Sequence, residues 1–524
     1  MDRREFLPSL LLIPALFNAY VKEAAGADVR DIPANTRKVI SVKNFGAVGD
    51  GITDDSAAIQ NAIDASAGKT IYFPPGTYIV NALQSVAVQQ DKNHASPKKA
   101  CLVMSSDMHL QGVAGASIIK AKSSISTDSV PQYFNMFMSN THDTNVSFEG
   151  LTFDLNGQNN SVSPQRQTAW NRYHQAAIIW MSDKNNVARP DNLYIDNCIF
   201  MNCAGTTVIG TGFSITTPAA VADGVTITNC KFIDNGFDTD DHSSIYLQAR
   251  HVLVDNNVFS IPSAPIIHQA VLEVHGPDQT ITRNTVANYV QGIVVAAGDS
   301  GNDVFNVDIS KNVIGCTYMC VGIYRNATGT LTNLYDVFIH DNKLSLTDTR
   351  NPFPAIPAAI YVFPTYVVRA IYIKNNQIQR IGGTVNNMIG IYLGNVSPGN
   401  LSDDIHIESN VIKRFTKGIF LPDLATTGSF GNLYITGNTI LSSTDSVTPV
   451  ANGDGIHIQP VAGQAITSLH LQGNRVITQS RIGIFLGGKI NILSYADDNY
   501  ITESGLQDYF EQSIDITTRT RVQH

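Results

Sequence analysis

The chain has 524 residues, 43% of them hydrophobic, and a formal net charge of −9 at pH 7. No basic block stands against that acidic balance, so no nucleic-acid partner is expected, and a neutral or weakly charged polymer is easier to hold than a polyanion unless a cation bridges. Six cysteines are too few for a disulfide scaffold of this length. At the start, Asp2-Arg-Arg-Glu-Phe-Leu7 resembles a twin-arginine export motif. The apolar run Leu10–Phe17 is too short to span a bilayer, and Ala25-Gly26-Ala27 is a small-residue cleavage site. Residues 1–27 therefore read as an export signal, with a general secretory signal or a simple anchor as alternatives. The mature chain is expected in the periplasm or secreted, off the membrane once the signal is removed. Residues 28–40 read as a linker.

Residues 41–524 read as one domain: a cap (41–80), early coils (81–155), an excursion (156–175), regular coils (176–502) and a tail (503–524). In the cap, Thr53 reads as a helix N-cap, with Asp54 and Asp55 in the first turn, where the helix dipole favours carboxylates. Ile59 and Ile63 give the helix one apolar stripe. Thr70 to Val80 reads as strand, tight turn around Pro74-Pro75-Gly76, and strand. The excursion is polar and carries Arg166, Trp170, Arg172, Tyr173 and His174. Such a departure from a repeat commonly walls a binding cleft, but it reads equally as surface loop.

Asn44-Phe-Gly-Ala-Val-Gly-Asp-Gly51 with Asp54-Asp55, the short helix and Phe73-Pro-Pro-Gly-Thr-Tyr78 together resemble the N-terminal segment of the pectate-lyase-like β-helix superfamily, which includes polygalacturonase-related hydrolases, polysaccharide lyases and phage tailspikes. The resemblance implies a right-handed parallel β-helix whose first coil the helix closes. It also implies that the cap carboxylates are structural and that the substrate is a glycan.

The regular coils repeat one phrase: Ile281-Thr-Arg-Asn284, Ile309-Ser-Lys-Asn312, Ile339-His-Asp-Asn342, and so on to Leu471-Gln-Gly-Asn474. Successive Asn residues lie roughly 27 to 36 apart, the scale of a solenoid repeat. A second phrase falls between them, as in Gly292-Ile-Val-Val, Gly390-Ile-Tyr-Leu and Gly455-Ile-His-Ile. Two short β-branched runs per repeat, with sparse Leu and no helical stripe, predict an all-β fold, a parallel β-helix rather than a leucine-rich repeat. The Asn residues then form an inward ladder. Cys198 and Cys230 take the same slot in adjacent coils, as a disulfide or as a buried thiol pair. Cys316 and Cys320 have no partner set for zinc.

If each Ile of the second phrase points inward, the next residue points out. The outward column then runs Tyr246, Glu273, Val294, Tyr324, Tyr361, Tyr392, Phe420, His457, Phe485. Sugar faces could stack on such rings; an oligomer seam, a trimer for example, is the alternative. Beside the column, Asp238-Thr-Asp240-Asp241-His242 precedes one strand, and Glu273 and His275 follow one coil later, so Tyr246 and Gln248 should stack on Glu273 and His275. Carboxylates from adjacent coils would lie about 5 to 10 Å apart, the range used by retaining and inverting glycosidases. Asp240 or Asp241 with Glu273 forms the expected acid and base or nucleophile. Asp238, His242 and His275 would assist, and Tyr246, Gln248, Tyr324, Arg325, Tyr361, Trp170 and His174 would contact substrate. No cofactor is expected, although Asp238, Asp240 and Asp241 could instead hold Ca2+ or form a solvated turn. The polygalacturonase branch carries Asn-Thr-Asp, Gly-His-Gly and Arg-Ile-Lys, and none is intact here. The expectation is an exported glycoside hydrolase acting on a polysaccharide or oligosaccharide. A polysaccharide lyase is the runner-up, followed by a glycan transferase or a non-catalytic glycan-binding β-helix.

Overall fold

The computed structural model describes residues 38–82, 84–86, 98–127, 134–139, 143–160, 175–181, 189–212, 221–236, 242–261, 269–297, 303–325, 333–347, 356–363, 368–382, 388–394, 396, 400–422, 428–441, 453–460, 465–477, 481–496, 498–502 and 507–522. Residues 39–524 form one compact unit wound as a right-handed parallel β-helix. Its strands pair in parallel, each with its counterpart one coil on; among the described residues only Gln84–Val86 runs antiparallel, against Lys98–Val103. Three sheets result. The first holds strands that precede the Asn positions, such as Leu334–His340 paired with Val368–Lys374. The second holds strands that follow them, such as Lys343–Thr347 paired with Gln377–Ile381. The third holds the Gly-Ile phrases, such as Ala358–Phe363 paired with Ile389–Leu393.

Stacking of equivalent side chains explains why the sequence repeats. From Asn257 to Asn499 each ladder amide donates to the side-chain oxygen of the next, and that oxygen also accepts from the preceding Asn backbone N–H. The residue before each ladder position is left-handed, with φ between 49° and 64° from Asn197 to Gly473. For a non-glycine residue that costs about 1 kcal/mol or more, which the ladder's buried hydrogen bonds offset. Inside the second sheet Phe153, Phe200, Phe232 and Phe259 stack with centroids 4.5–5.0 Å apart, then give way to Val286, Ile314 and Leu344 in the same register. The glycine of the Gly-Ile phrase is required by space: a Cβ at Gly390 would lie 2.5 Å from the Gly418 carbonyl oxygen, and one at Gly418 2.7 Å from that of Gly455.

The cap helix spans Ser56–Asp64 and buries Ile59, Ala62 and Ile63. Thr53 is not its N-cap. It ends a turn held by Asp50, which accepts from the Ile52 and Thr53 N–H groups, and Asp55 occupies the cap position. The buried Asp55 carboxylate instead accepts from Val48 N and Gly49 N at 2.6 and 2.9 Å, tying the Gly-rich turn to the helix. The excursion begins as a short 3-10 turn, Gly157–Asn159, anchored by the buried Asn156 and Asn160, and the chain is a strand again at Gln175–Ile179. Gln507–Val522 pairs along Ile482–Ala496. Cys198 and Cys230 are buried free thiols, not a disulfide.

Candidate functional site

The candidate site lies on the outer face of the third sheet. Strand His242–Leu247 pairs with Gln269–Val274 so that Tyr246 sits directly beside Glu273, as the sequence spacing requires. His275 follows its strand, and its backbone N–H donates to Leu247 O at 2.8 Å. Its ring stacks on Tyr246 at 4.5 Å and 23°, and Nε2 lies 3.2 Å from Glu273 Oε2. His275 is almost fully buried, whereas about a quarter of the Glu273 side chain reaches solvent. Gly276 makes this packing feasible: a Cβ there would come within 2.1 Å of Ala249 O. Gln248 is fully buried.

The neighbourhood is apolar on both sides. Towards the N-terminus, Gly210 pairs with Tyr246 and brings no side chain, and beyond it Ala100, Met138, Ala176, Ile179 and Met181 form an outer apolar cluster. Towards the C-terminus, Val294 pairs with Glu273 and begins a second outer cluster. Glu273 is thus a partly exposed carboxylate set between two dry patches, with one oxygen beside an imidazole. With the proton on His275 Nε2, that contact is a hydrogen bond that fixes the orientation of the Glu273 carboxylate.

Other expectations need correction. His242 does not face the site. It is fully buried, with Nδ1 2.7 Å from Gly205 O and Nε2 3.2 Å from Ser244 Oγ, which in turn meets Tyr289 OH at 3.0 Å. Burial outweighs the Gly205 hydrogen bond and the field of Glu273 and lowers its pKa to about 4, so it is a neutral core residue at ordinary pH. Tyr324 is not in the Glu273 column, because Val294 pairs with Gly322 and Tyr324 with Ala296 and Phe363. The cause is a Gly-Ile phrase that falls two residues late in this coil. The gap is closed by Met319 and Tyr324, whose side chains a Cβ at Gly322 would strike at 2.5 and 2.6 Å.

Nor is the aromatic column an open platform. Tyr361, Tyr392, Phe420, His457 and Phe485 are each less than a tenth exposed within the single chain, so no second copy is needed to cover them. Many of their ring faces are spent on one another, as for Tyr361 with Tyr392 at 4.4 Å and His457 with Phe485 at 4.2 Å, spacings that leave no room for a sugar. A half-exposed ring ladder that sequence reading missed lies instead on the first sheet: Phe338, Tyr372, His406, Tyr434 and His470, at 4.3–5.0 Å. One aromatic residue per coil, two before each ladder Asn phrase ends its strand, was the available signal. Asp238, Asp240, Asp241, Trp170 and His174 lie outside the described residues. Arg325 ends a strand and pairs with Ala297; its side chain is likewise outside them. Among the described residues no group of three His, Cys, Asp or Glu side chains is placed to hold a metal ion.

Residues 39–148 match the family model for the rhamnogalacturonase A/epimerase, pectate lyase-like domain. The fold agrees over nearly the whole chain: the tailspike protein of E. coli bacteriophage HK620, solved in complex with a pentasaccharide, superposes with a TM-score of 0.67 over 96% of this chain and 86% of that one, at 16% identity. The likeness to the pectate-lyase-like family is thus carried by residues 39–148, and the parallel β-helix fold by nearly the whole chain. Among curated proteins it is similar to mannuronan C5-epimerase AlgE2 of Azotobacter vinelandii, 34% identical over 125 residues, which are 23% of this chain and 11% of that protein. It is also similar to plasmin and fibronectin-binding protein A of Streptococcus pneumoniae, 24% identical over 89% of this chain and 62% of that one. The tail spike protein of Shigella phage Sf6 is 23% identical over 62% of this chain and 52% of that protein. In each of these curated relatives the match spans less than two thirds of the protein. The structural likeness, at this identity, speaks for the fold alone.

Proposed function

We propose that the protein is an exported glycan-active enzyme that hydrolyses glycosidic bonds at the Glu273 site. The observation that carries this reading is the Glu273–His275–Tyr246 cluster, a partly exposed carboxylate beside a buried imidazole, flanked on both sides by apolar clusters. Glu273 acts as nucleophile or base, and Asp240 or Asp241, which precede the adjacent strand in sequence, supplies the acid. His275 orients Glu273 and Tyr246 fixes the His275 ring. The relatives support a glycan as substrate: one is named for epimerising mannuronan, and a structural neighbour was solved with a bound pentasaccharide.

A second reading, proton abstraction beside a uronate carboxylate leading to elimination or epimerisation, is favoured by the cap match to C5-epimerases. Incubation with a panel of neutral and uronate-containing polysaccharides, followed by mass spectrometry, separates the two. Hydrolysis gives products that have gained water, elimination gives unsaturated products that absorb in the ultraviolet, and epimerisation leaves mass and length unchanged. Hydrolytic products on any member support the first reading; only unsaturated or epimerised products would overturn it. The Ca2+ alternative at Asp238, Asp240 and Asp241 and the trimer are proposals of the same standing, read by chelation and by light scattering.

A further inference from the structure

From the fifth to the seventh coil beyond Glu273 on the same sheet face, the apolar lining changes abruptly. Met319, Ala358 and Ile389 succeed one another in one column, the next two positions are Lys417 and Asp454, and Ile482 follows. Asp454 is fully buried. Arg481 grips both of its oxygens, through Nε at 2.7 Å and through NH2, and His457 Nδ1 lies 2.7 Å from Oδ2. Burial alone would raise the Asp454 pKa, but the hydrogen bonds from His457 and Arg481 outweigh it and hold the carboxyl below its usual range. The far nitrogen of His457 is 3.0 Å from Gln459 Oε1.

Lys417 is the unexplained member. It is 8% exposed. Its ammonium lies 3.7 Å from the Phe420 ring centroid, and no hydrogen-bond acceptor meets it among the described residues. Asp454, its neighbour in the ladder, is already committed to Arg481 and His457. Burial lowers the amine's pKa to about 8, with Asp454 opposing and Arg481 reinforcing that shift. The cluster therefore holds two cations against one carboxylate, over a floor of Phe420 and Phe485. The largely buried Lys417 holds its ammonium against an aromatic ring, and a ligand acceptor there gains a charge-assisted hydrogen bond.

We propose that Lys417 and Arg481 form a subsite for the carboxylate of an acidic sugar residue, separate from the Glu273 site. Six coil spacings put it about 29 Å from Glu273 along the sheet. That distance is spanned by a glycan of about six residues, so one chain lying along the face reaches both. The inference rests on the glycan reading above and adds the charge of the substrate. It also reverses the expectation from net charge, since the local balance here is positive although the whole chain is acidic.

The test is calorimetric titration of the full chain with a galacturonate hexamer, its carboxyl-reduced counterpart and a sulfated hexasaccharide. The wild type binds the galacturonate hexamer at least about tenfold more tightly than the reduced one. Lys417→Met, which keeps the stem over Phe420 and leaves Asp454 with both of its partners, removes that preference; Glu273→Gln keeps it. Equal binding of acidic and reduced hexamers by the wild type, or an unchanged preference in Lys417→Met, overturns the inference, and preference for the sulfated sugar alone overturns the carboxylate assignment. Should Lys417→Met fail to fold, NMR titration of the Lys417 amine in the wild type decides: its pKa rises when the galacturonate hexamer binds, and no movement on saturation overturns the inference. Loss of hydrolysis in Glu273→Gln with the acidic preference intact keeps the two sites' failures apart.

Discussion

Replacing Asn342 by Ala in the middle of the amide ladder isolates what the periodic Asn is for. Its amide donates to Asn376 Oδ1 at 3.0 Å and to Ile309 O at 2.8 Å, and its oxygen accepts from Asn312 N at 2.9 Å and Asn312 Nδ2 at 3.0 Å. Two of these partners keep other bonds after the change: Asn312 Nδ2 still reaches Ile281 O, and Asn376 Oδ1 still accepts from the Asn342 backbone. The Asn312 N–H loses the bond the side chain made and stays buried, whereas the Ile309 C=O lies in a strand paired on both sides and loses only a second bond. At about 1–3 kcal/mol for a buried group left unsatisfied and about 1 kcal/mol for the second bond, the cost is about 2–4 kcal/mol. Urea denaturation followed by circular dichroism measures it, with Asn342→Asp as a companion that keeps the acceptor and removes the donor. Asn499→Ala, at the partly exposed end of the ladder, should cost less, because water can replace its bonds to Asn474. A loss below about 0.5 kcal/mol for Asn342→Ala, or equal losses at both positions, would refute the ladder as a source of stability.

Other consequences are equally specific. His242 titrates near 4 in the folded chain and near 6.5 when unfolded, so between those values the unfolded state binds the extra proton. Stability is therefore lost as pH falls from about 6.5 to about 4, by up to about 3 kcal/mol. His242→Gln should flatten that part of the pH–stability curve, and an unchanged slope would remove His242 as its cause. Gly276→Ala forces a methyl into the Ala249 carbonyl; it should cost about 1–3 kcal/mol and disturb the His275 ring. A melting temperature and turnover both equal to wild type would show that the close approach does not matter. Phe232→Ala, between two stacked rings and fully buried, should cost about 3–5 kcal/mol, and a loss under about 1 kcal/mol in the same urea assay would show that the stack relaxes.

The architecture could be read from the sequence because each coil votes on it again. The Asn phrase recurs, every copy must place its amide within reach of the next, and only stacking does that. The cap could be read as a segment but not in detail: Thr53 and Asp55 both suit an N-cap, and the Val48 and Gly49 amides that claim Asp55 come from a turn whose path only the fold shows. At the site, alternation placed Tyr246 beside Glu273 correctly because both strands carry the same phrase without insertion. It failed at Tyr324, where the phrase slips by two residues. Nearness in sequence to the acidic segment misled at His242, whose side chain lies in the core. Period-two patterning cannot report burial either. It marked Tyr361 and Phe420 as outward, which they are with respect to the coil interior, while the chain nevertheless covers them. The Lys417–Asp454–Arg481 cluster was invisible for a related reason: three charges spread over more than sixty residues meet only because they occupy successive coils.

The measurement that bears most directly on the proposed chemistry is the rate of glycan cleavage by Glu273→Gln against wild type, on the glycan that gives hydrolytic products, with Asp240→Asn and Asp241→Asn alongside. Loss of the carboxylate should lower turnover by about a hundredfold to ten-thousandfold while leaving glycan binding and the melting temperature intact, and one of the two Asp variants should fall comparably. Wild-type turnover in Glu273→Gln would contradict the assignment of this site.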